Sequence, residues 1–154
     1  MKDNEIKIDF TTVYGNQELE FKNVSIEEHQ GNYYISMKGV SSVVRQFVKQ
    51  VFPEVGKFQI SSKSYAGGDS ISIYLAGVER DKFFEVDTAL KETFERGCFN
   101  GMIDMYEYKE DYGIRTTCNG KVLKFSTKYT FTQNRPKYGT KAREKFNEER
   151  AQVA

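Results

Sequence analysis

Residues able to do chemistry are sparse in this chain of 154 residues, and their spacing decides what they can do. The single histidine, His29, lies among Glu27, Glu28 and Gln30, a polar setting that suits a surface side chain better than a general base. A Cys-His nucleophilic pair would need Cys98 or Cys118 to meet it in space, and nothing in the spacing supports that meeting. Cys98 beside Phe99 reads instead as a small apolar packing group. Two cysteines and one histidine this far apart form no zinc pattern. Asp69, Asp104, Glu107, Glu110 and Asp111 could gather around magnesium for nuclease chemistry, but they lack a motif spacing. A turn accounts for Asp69 and a solvated loop for the others. Gly67-Gly68 is followed by neither a further glycine nor a Lys-Ser/Thr pair at phosphate-loop positions, so it reads as a hairpin. No catalytic residue, metal or cofactor is expected.

Charge offers more. The net charge of +1 hides a division along the sequence. Residues 1–43 hold 4 Lys against 7 acids, residues 79–111 hold 5 bases against 10 acids, and residues 112–154 hold 10 bases against 3 Glu. Between Tyr112 and Arg143 there is no acidic residue. Arg115, Lys121, Lys124, Lys128, Arg135, Lys137, Lys141 and Arg143 are therefore the candidate nucleic-acid-binding residues, since such runs bind phosphates by charge and counterion release. Tyr129, Phe131 and Tyr138 are interleaved with them, and exposed aromatics stack bases. Periodicity argues against that use of the first two. Read as one long strand, the segment puts Leu123, Phe125, Tyr129 and Phe131 on a core face and Lys124, Ser126, Lys128, Thr130 and Thr132 on the other. A solvated strand face with a charged tail remains the competing reading of the same residues.

The elements that position these residues follow from period and punctuation. Ile6, Ile8 and Phe10 alternate with Lys7 and Asp9, the turn Tyr14-Gly15-Asn16 follows, and residues 18–24 and 32–37 repeat the alternating style, giving an N-terminal antiparallel meander. Val40, Val43, Val44, Phe47, Val48 and Val51 then form the stripe of an amphipathic helix, with Ser41 or Ser42 able to cap it and Pro53 to end it. Arg45, Gln46, Lys49 and Gln50 cover its other face. Phe58 and Ile60, and Ile71, Ile73 and Leu75, mark two strands joined through Ala66-Gly67-Gly68-Asp69, where glycine accepts positive φ. A second helix is predicted from about Glu85 to Arg96, stopped by Gly97. Asn119-Gly120 marks another hairpin, and residues 140–151 form a terminal helix anchored by Ala142 and Phe146. The architecture is α+β: an antiparallel sheet with two amphipathic helices packed on one face and a C-terminal helical tail. Residues 1–138 form one domain and 139–154 a basic tail.

The composition fits. An apolar fraction of 38% is low, but 12 Phe and 10 Tyr supply large buried areas. Residues 1–10 contain no apolar run that would serve as a secretory leader, no segment is apolar enough for a membrane span, and two cysteines suit a reducing cytoplasm.

The order of helix, Phe52-Pro53, Lys57 to Ser64, Gly67-Gly68, helix, then Phe99-Asn100-Gly101-Met102 with Asp104, resembles the large polyvalent protein-associated domains of phages and conjugative elements. The resemblance spans residues 40–112 and leaves the meander and the basic C-terminal strand unmatched. It implies an accessory role alongside incoming DNA, in DNA metabolism or in countering host defence, in the cytoplasm of a bacterial host. It carries no catalytic residue. The resulting expectation is a non-enzymatic protein that binds nucleic acid or a nucleoprotein through the basic C-terminal side. The alternatives are a protein-binding inhibitor of a host defence protein that uses the acidic face of residues 79–111, or a metal-dependent enzyme.

Overall fold

The computed structural model describes residues 4–66, 68–95, 97–100, 105–108 and 113–153, with backbone alone for 97–100, 105–108 and 152–153. Its fold is α+β. Strands β1 (Glu5–Tyr14), β2 (Gln17–His29) and β3 (Asn32–Tyr34) form the antiparallel meander in the order β1-β2-β3. A bulge interrupts the β1-β2 ladder after Ile8, and there Asp9 accepts the Asn23 amide at 2.8 Å.

Helix α1 (Met37–Val51) begins three residues earlier than the valine stripe, because Ser36 is the cap and accepts the Gly39 amide at 3.2 Å. That extra turn brings Gly39 onto β2 so closely that a Cβ there would collide with the Ser25 carbonyl. Pro53 ends the helix as expected, opening a 3-10 turn, Pro53–Val55. Gln46 and Gln50 are not solvent-facing spares. Each side-chain amide pairs with both backbone groups of one residue on β2. Gln46 takes the Lys22 amide at 2.8 Å and donates to its carbonyl at 2.9 Å, and Gln50 does the same for Glu20 at 2.8 Å each way. The spacing permits it. Four helical residues advance ~6 Å and two strand residues ~6.8 Å, so an i, i+4 pair can dress alternate residues of one strand edge.

Strands β4 (Phe58–Tyr65) and β5 (Gly68–Leu75) form the predicted antiparallel hairpin. Helix α2 spans Arg80–Phe94, starting earlier than its apolar stripe and ending before Gly97. Strands β6 (Gly97–Asn100) and β7 (Met105–Tyr108) pair antiparallel, as do β8 (Ile114–Cys118) and β9 (Lys121–Phe125) across Asn119 and Gly120, both at positive φ. Strand β10 (Tyr129–Gln133) joins β5 in parallel, so the sheet order is β10-β5-β4 and the ladders are not antiparallel throughout. Helix α3 (Lys141–Val153) follows Thr140, whose hydroxyl accepts the Arg143 amide at 3.3 Å.

One core serves these elements. The α1 stripe from Val40 to Val48, Leu19 to Ile26 of β2, Ile71 to Leu75 of β5, Val86 to Phe94 of α2, and Leu123 and Phe125 of β9 are buried together. Phe47 meets Phe94 edge to face at 5.2 Å, which joins the two helices, and Phe125 stacks on Phe10 at 5.4 Å, which joins β9 to the meander. No described residue of α3 belongs to that core.

Candidate nucleic-acid interface

The long basic strand expected over residues 123–132 is two strands in two ladders. Ser126-Thr127-Lys128 carries no apolar side chain, and the chain crosses there from one sheet to the other. Thr127 is buried and donates to Asp69 at 2.9 Å, while the Lys128 amide donates to the same carboxylate oxygen at 2.7 Å. Glu95 accepts the Thr130 amide at 2.8 Å. Two carboxylates thus fix the crossover. The alternation restarts with the opposite phase, Thr130 turns inward, and Phe131 turns outward with half of its surface exposed (50%). The placement of Tyr129 and Phe131 in the core is therefore corrected. Tyr129 is half-buried, and the two rings stack with centroids 6.2 Å apart.

Register then defines the outer face of the β10-β5-β4 sheet. Tyr129, Ser70 and Lys63 form one row, Phe131, Ser72 and Ser61 the next, and Gln133, Tyr74 and Gln59 the third. Ser70 and Ser72 occupy the middle of the first two rows and Tyr74 that of the third, with Tyr129 and Phe131 on the β10 edge and Lys63 and Ser61 on the β4 edge. A concavity of about 490 Å³ lies over this face, walled on the β10 side by the Asp87–Lys91 ion pair of α2 (3.2 Å). Lys137 reaches the β4 edge of this face. Its amide donates to Gln59 at 2.8 Å and its Nζ to Ser61 at 3.4 Å. Lys128 lies at the Tyr129 end, Nζ 5.5 Å from the ring centre. Gly68 is not needed for positive φ; a Cβ there would lie 2.6 Å from Lys128 Cδ, so its bareness admits the lysine. Gly67 lies outside the described residues.

The eight candidate residues divide among three places: the β8-β9 hairpin, the sheet face with the end of β10, and the start of α3. Arg115 and Lys124 are cross-strand partners on the β8-β9 hairpin, and Lys121 at its tip lies 4.6 Å from the ring of Tyr33 in the meander. Lys128 and Lys137 reach the sheet face, and Arg135 is exposed just past β10. Lys141 is exposed at the start of α3. Arg143 is engaged internally: it donates to the Pro136 carbonyl at 3.1 Å and to Asn147 at 3.3 Å, and lies 6.0 Å from the Tyr138 ring centre. The signals missed in the sequence are Lys63 and Lys91, which enter this face from β4 and α2. The absence of apolar residues from 126 to 128 was the readable clue to Phe131. Asp69, a possible metal ligand by residue type, is committed to Thr127 and Lys128. Asp104, Glu110 and Asp111 lie outside the described residues, as does the side chain of Glu107. His29 sits at the end of β2, Nδ1 3.0 Å from the Asn4 amide nitrogen.

Fold and face together define a small α+β domain with an open, serine-floored sheet edged by aromatics and lysines. The chain belongs to the family described as large polyvalent protein associated domain 29, whose model matches residues 35–138. The match starts just before α1 and runs through β10, so it takes in the basic strand that the sequence resemblance leaves out. Strands β1 to β3 and helix α3 lie outside it. Among curated proteins and solved structures, nothing matches the chain significantly. No described helix is long and apolar enough to cross a membrane.

Proposed function

We propose that this is a non-enzymatic accessory protein of a phage or plasmid that acts in the host cytoplasm and binds single-stranded nucleic acid, free or within a nucleoprotein, across the β10-β5-β4 sheet. The observation that carries this reading is Phe131, half exposed beside Tyr129 on a sheet face whose neighbours are serines and lysines. Exposed rings supply a stacking surface for bases of any sequence, small serines leave clearance for them, and lysines at the rim meet the phosphates. Membership of the polyvalent-protein-associated family is consistent with a role beside mobile DNA, and a part in countering host defence belongs to the same proposal. The acidic face of residues 79–111 gains less support, because Glu95 is spent on Thr130, Glu85 on Lys82 and Asp87 on Lys91.

Fluorescence anisotropy with a labelled single-stranded oligonucleotide tests the reading. Phe131→Ala is expected to weaken binding by about 5- to 150-fold, the equivalent of ~1–3 kcal/mol for one base stack removed. Lys63→Ala with Lys137→Ala should flatten the slope of log affinity against log salt by roughly 0.7 for each phosphate no longer neutralised. Wild-type affinity and slope in all three substitutions would reject the sheet face as the binding surface.

A further inference from the structure

A second concavity, of about 410 Å³, opens where α1, β4 and the start of α3 converge. Arg45, Lys49 and Lys57 stand at its rim, and Phe58, Tyr74 and Pro136 supply its aromatic and apolar floor. Among the described residues, no carboxylate lines it. Arg45 and Lys49 are one helical turn apart and so project from the same side of α1, and none of the three cations is ion-paired with a described carboxylate. Three like charges at the mouth of a shared apolar hollow repel one another until an anion neutralises them.

We infer that this groove is a binding site for a nucleoside 5′-phosphate unit, either a free mononucleotide or the 5′-phosphorylated end of a strand. The volume lies toward the small end of ligand sites, which suits one nucleotide and not a folded peptide segment. Three cations exceed what one carboxylate would recruit and match a phosphate dianion, for which arginine offers paired donors. Phe58, Tyr74 and Pro136 give a planar base a surface to lie on. This inference does not rest on nucleic-acid binding by the sheet face: Tyr74 borders both hollows, but the cations Arg45, Lys49 and Lys57 line this one and not the other.

Calorimetric titration of the full chain with a nucleoside 5′-monophosphate, the unphosphorylated nucleoside and inorganic phosphate decides the matter. The mononucleotide is expected to bind at least tenfold tighter than either fragment. Arg45→Ala with Lys49→Ala, both exposed positions, should lose at least tenfold of that affinity while keeping the wild-type unfolding midpoint. Phe131→Ala should leave it unchanged, which separates this site from the sheet face. A 5′-phosphorylated oligonucleotide that outbinds its 5′-hydroxyl twin, with the advantage abolished in the double variant, identifies a strand end as the source. Equal binding of the twins identifies the free mononucleotide. A mononucleotide that binds no tighter than inorganic phosphate, or equally well to wild type and double variant, would overturn the inference.

Discussion

Glu5 gathers three side-chain partners in the meander and the start of α1. Ser25 donates to it from a buried position, Lys7 reaches the same oxygen at 2.9 Å and Lys38 at 3.3 Å, so the first strand is tied to its neighbour and to the start of α1. Those contacts, the Ser25 hydroxyl foremost, pull its pKa down from 4.5 to about 2. The sign follows from linkage. A carboxyl depressed on folding stabilises the native state wherever it is ionised in the unfolded chain, and that contribution disappears as the pH falls from about 4.5 through about 2. Urea midpoints measured from pH 7 to pH 2 should therefore show Glu5→Gln less stable than wild type at neutral pH, with the gap closing over that window. A gap independent of pH would mean that the Ser25 and lysine contacts do not depend on the charge.

Helix α1 shows what periodicity reveals of an element and what it conceals. Its valine stripe and Pro53 stop are readable because burial and backbone chemistry act on those residues directly. So are the β4-β5 hairpin and the Asn119-Gly120 turn. The role of Gln46 and Gln50 was not readable, since a polar residue on the polar side of a helix signals solvent, and only the placement of the β2 edge turns them into backbone partners. The crossover at residues 126–128 was hidden for a similar reason. Asp69 and Glu95, distant in sequence, hold it and reset which side chains face outward. The candidate site was thus legible as charge and not as surface. Gln46→Ala with Gln50→Ala removes four edge hydrogen bonds that water can partly replace, at a net ~0.5–1.5 kcal/mol for a typical bond and toward the low end here. The expected loss is about 1–3 kcal/mol, read as a fall in melting temperature of roughly 2–4 °C per kcal/mol, together with faster amide exchange at Glu20 and Lys22. Unchanged exchange at those two amides would show that the clamps do not protect the edge.

Across the whole molecule, cation count and cation placement part company at residue 139. The six bases Arg115, Lys121, Lys124, Lys128, Arg135 and Lys137 precede it with no acid among residues 112–138, whereas residues 139–154 carry 4 bases against 3 acids and are nearly neutral. The helical tail, expected to be basic, has only one more base than acids, and it lies against the rest of the chain through a few surface contacts. Phe146 rests against Gly77, where a Cβ would come within 2.8 Å of the ring, and Arg143 holds the Pro136 carbonyl, but no described residue of α3 enters the core. A chain ending at Gly139 should accordingly melt within a few degrees of the full chain, since surface contacts of this kind contribute little. Its oligonucleotide affinity and salt slope should match the full chain, because the sheet face and its lysines are intact. Mononucleotide binding should weaken, because Ala142 lines the groove and leaves with the tail. Removing one segment therefore separates the two surfaces, and a shortened chain that loses oligonucleotide binding while keeping its melting temperature would move the main interface from the sheet to α3.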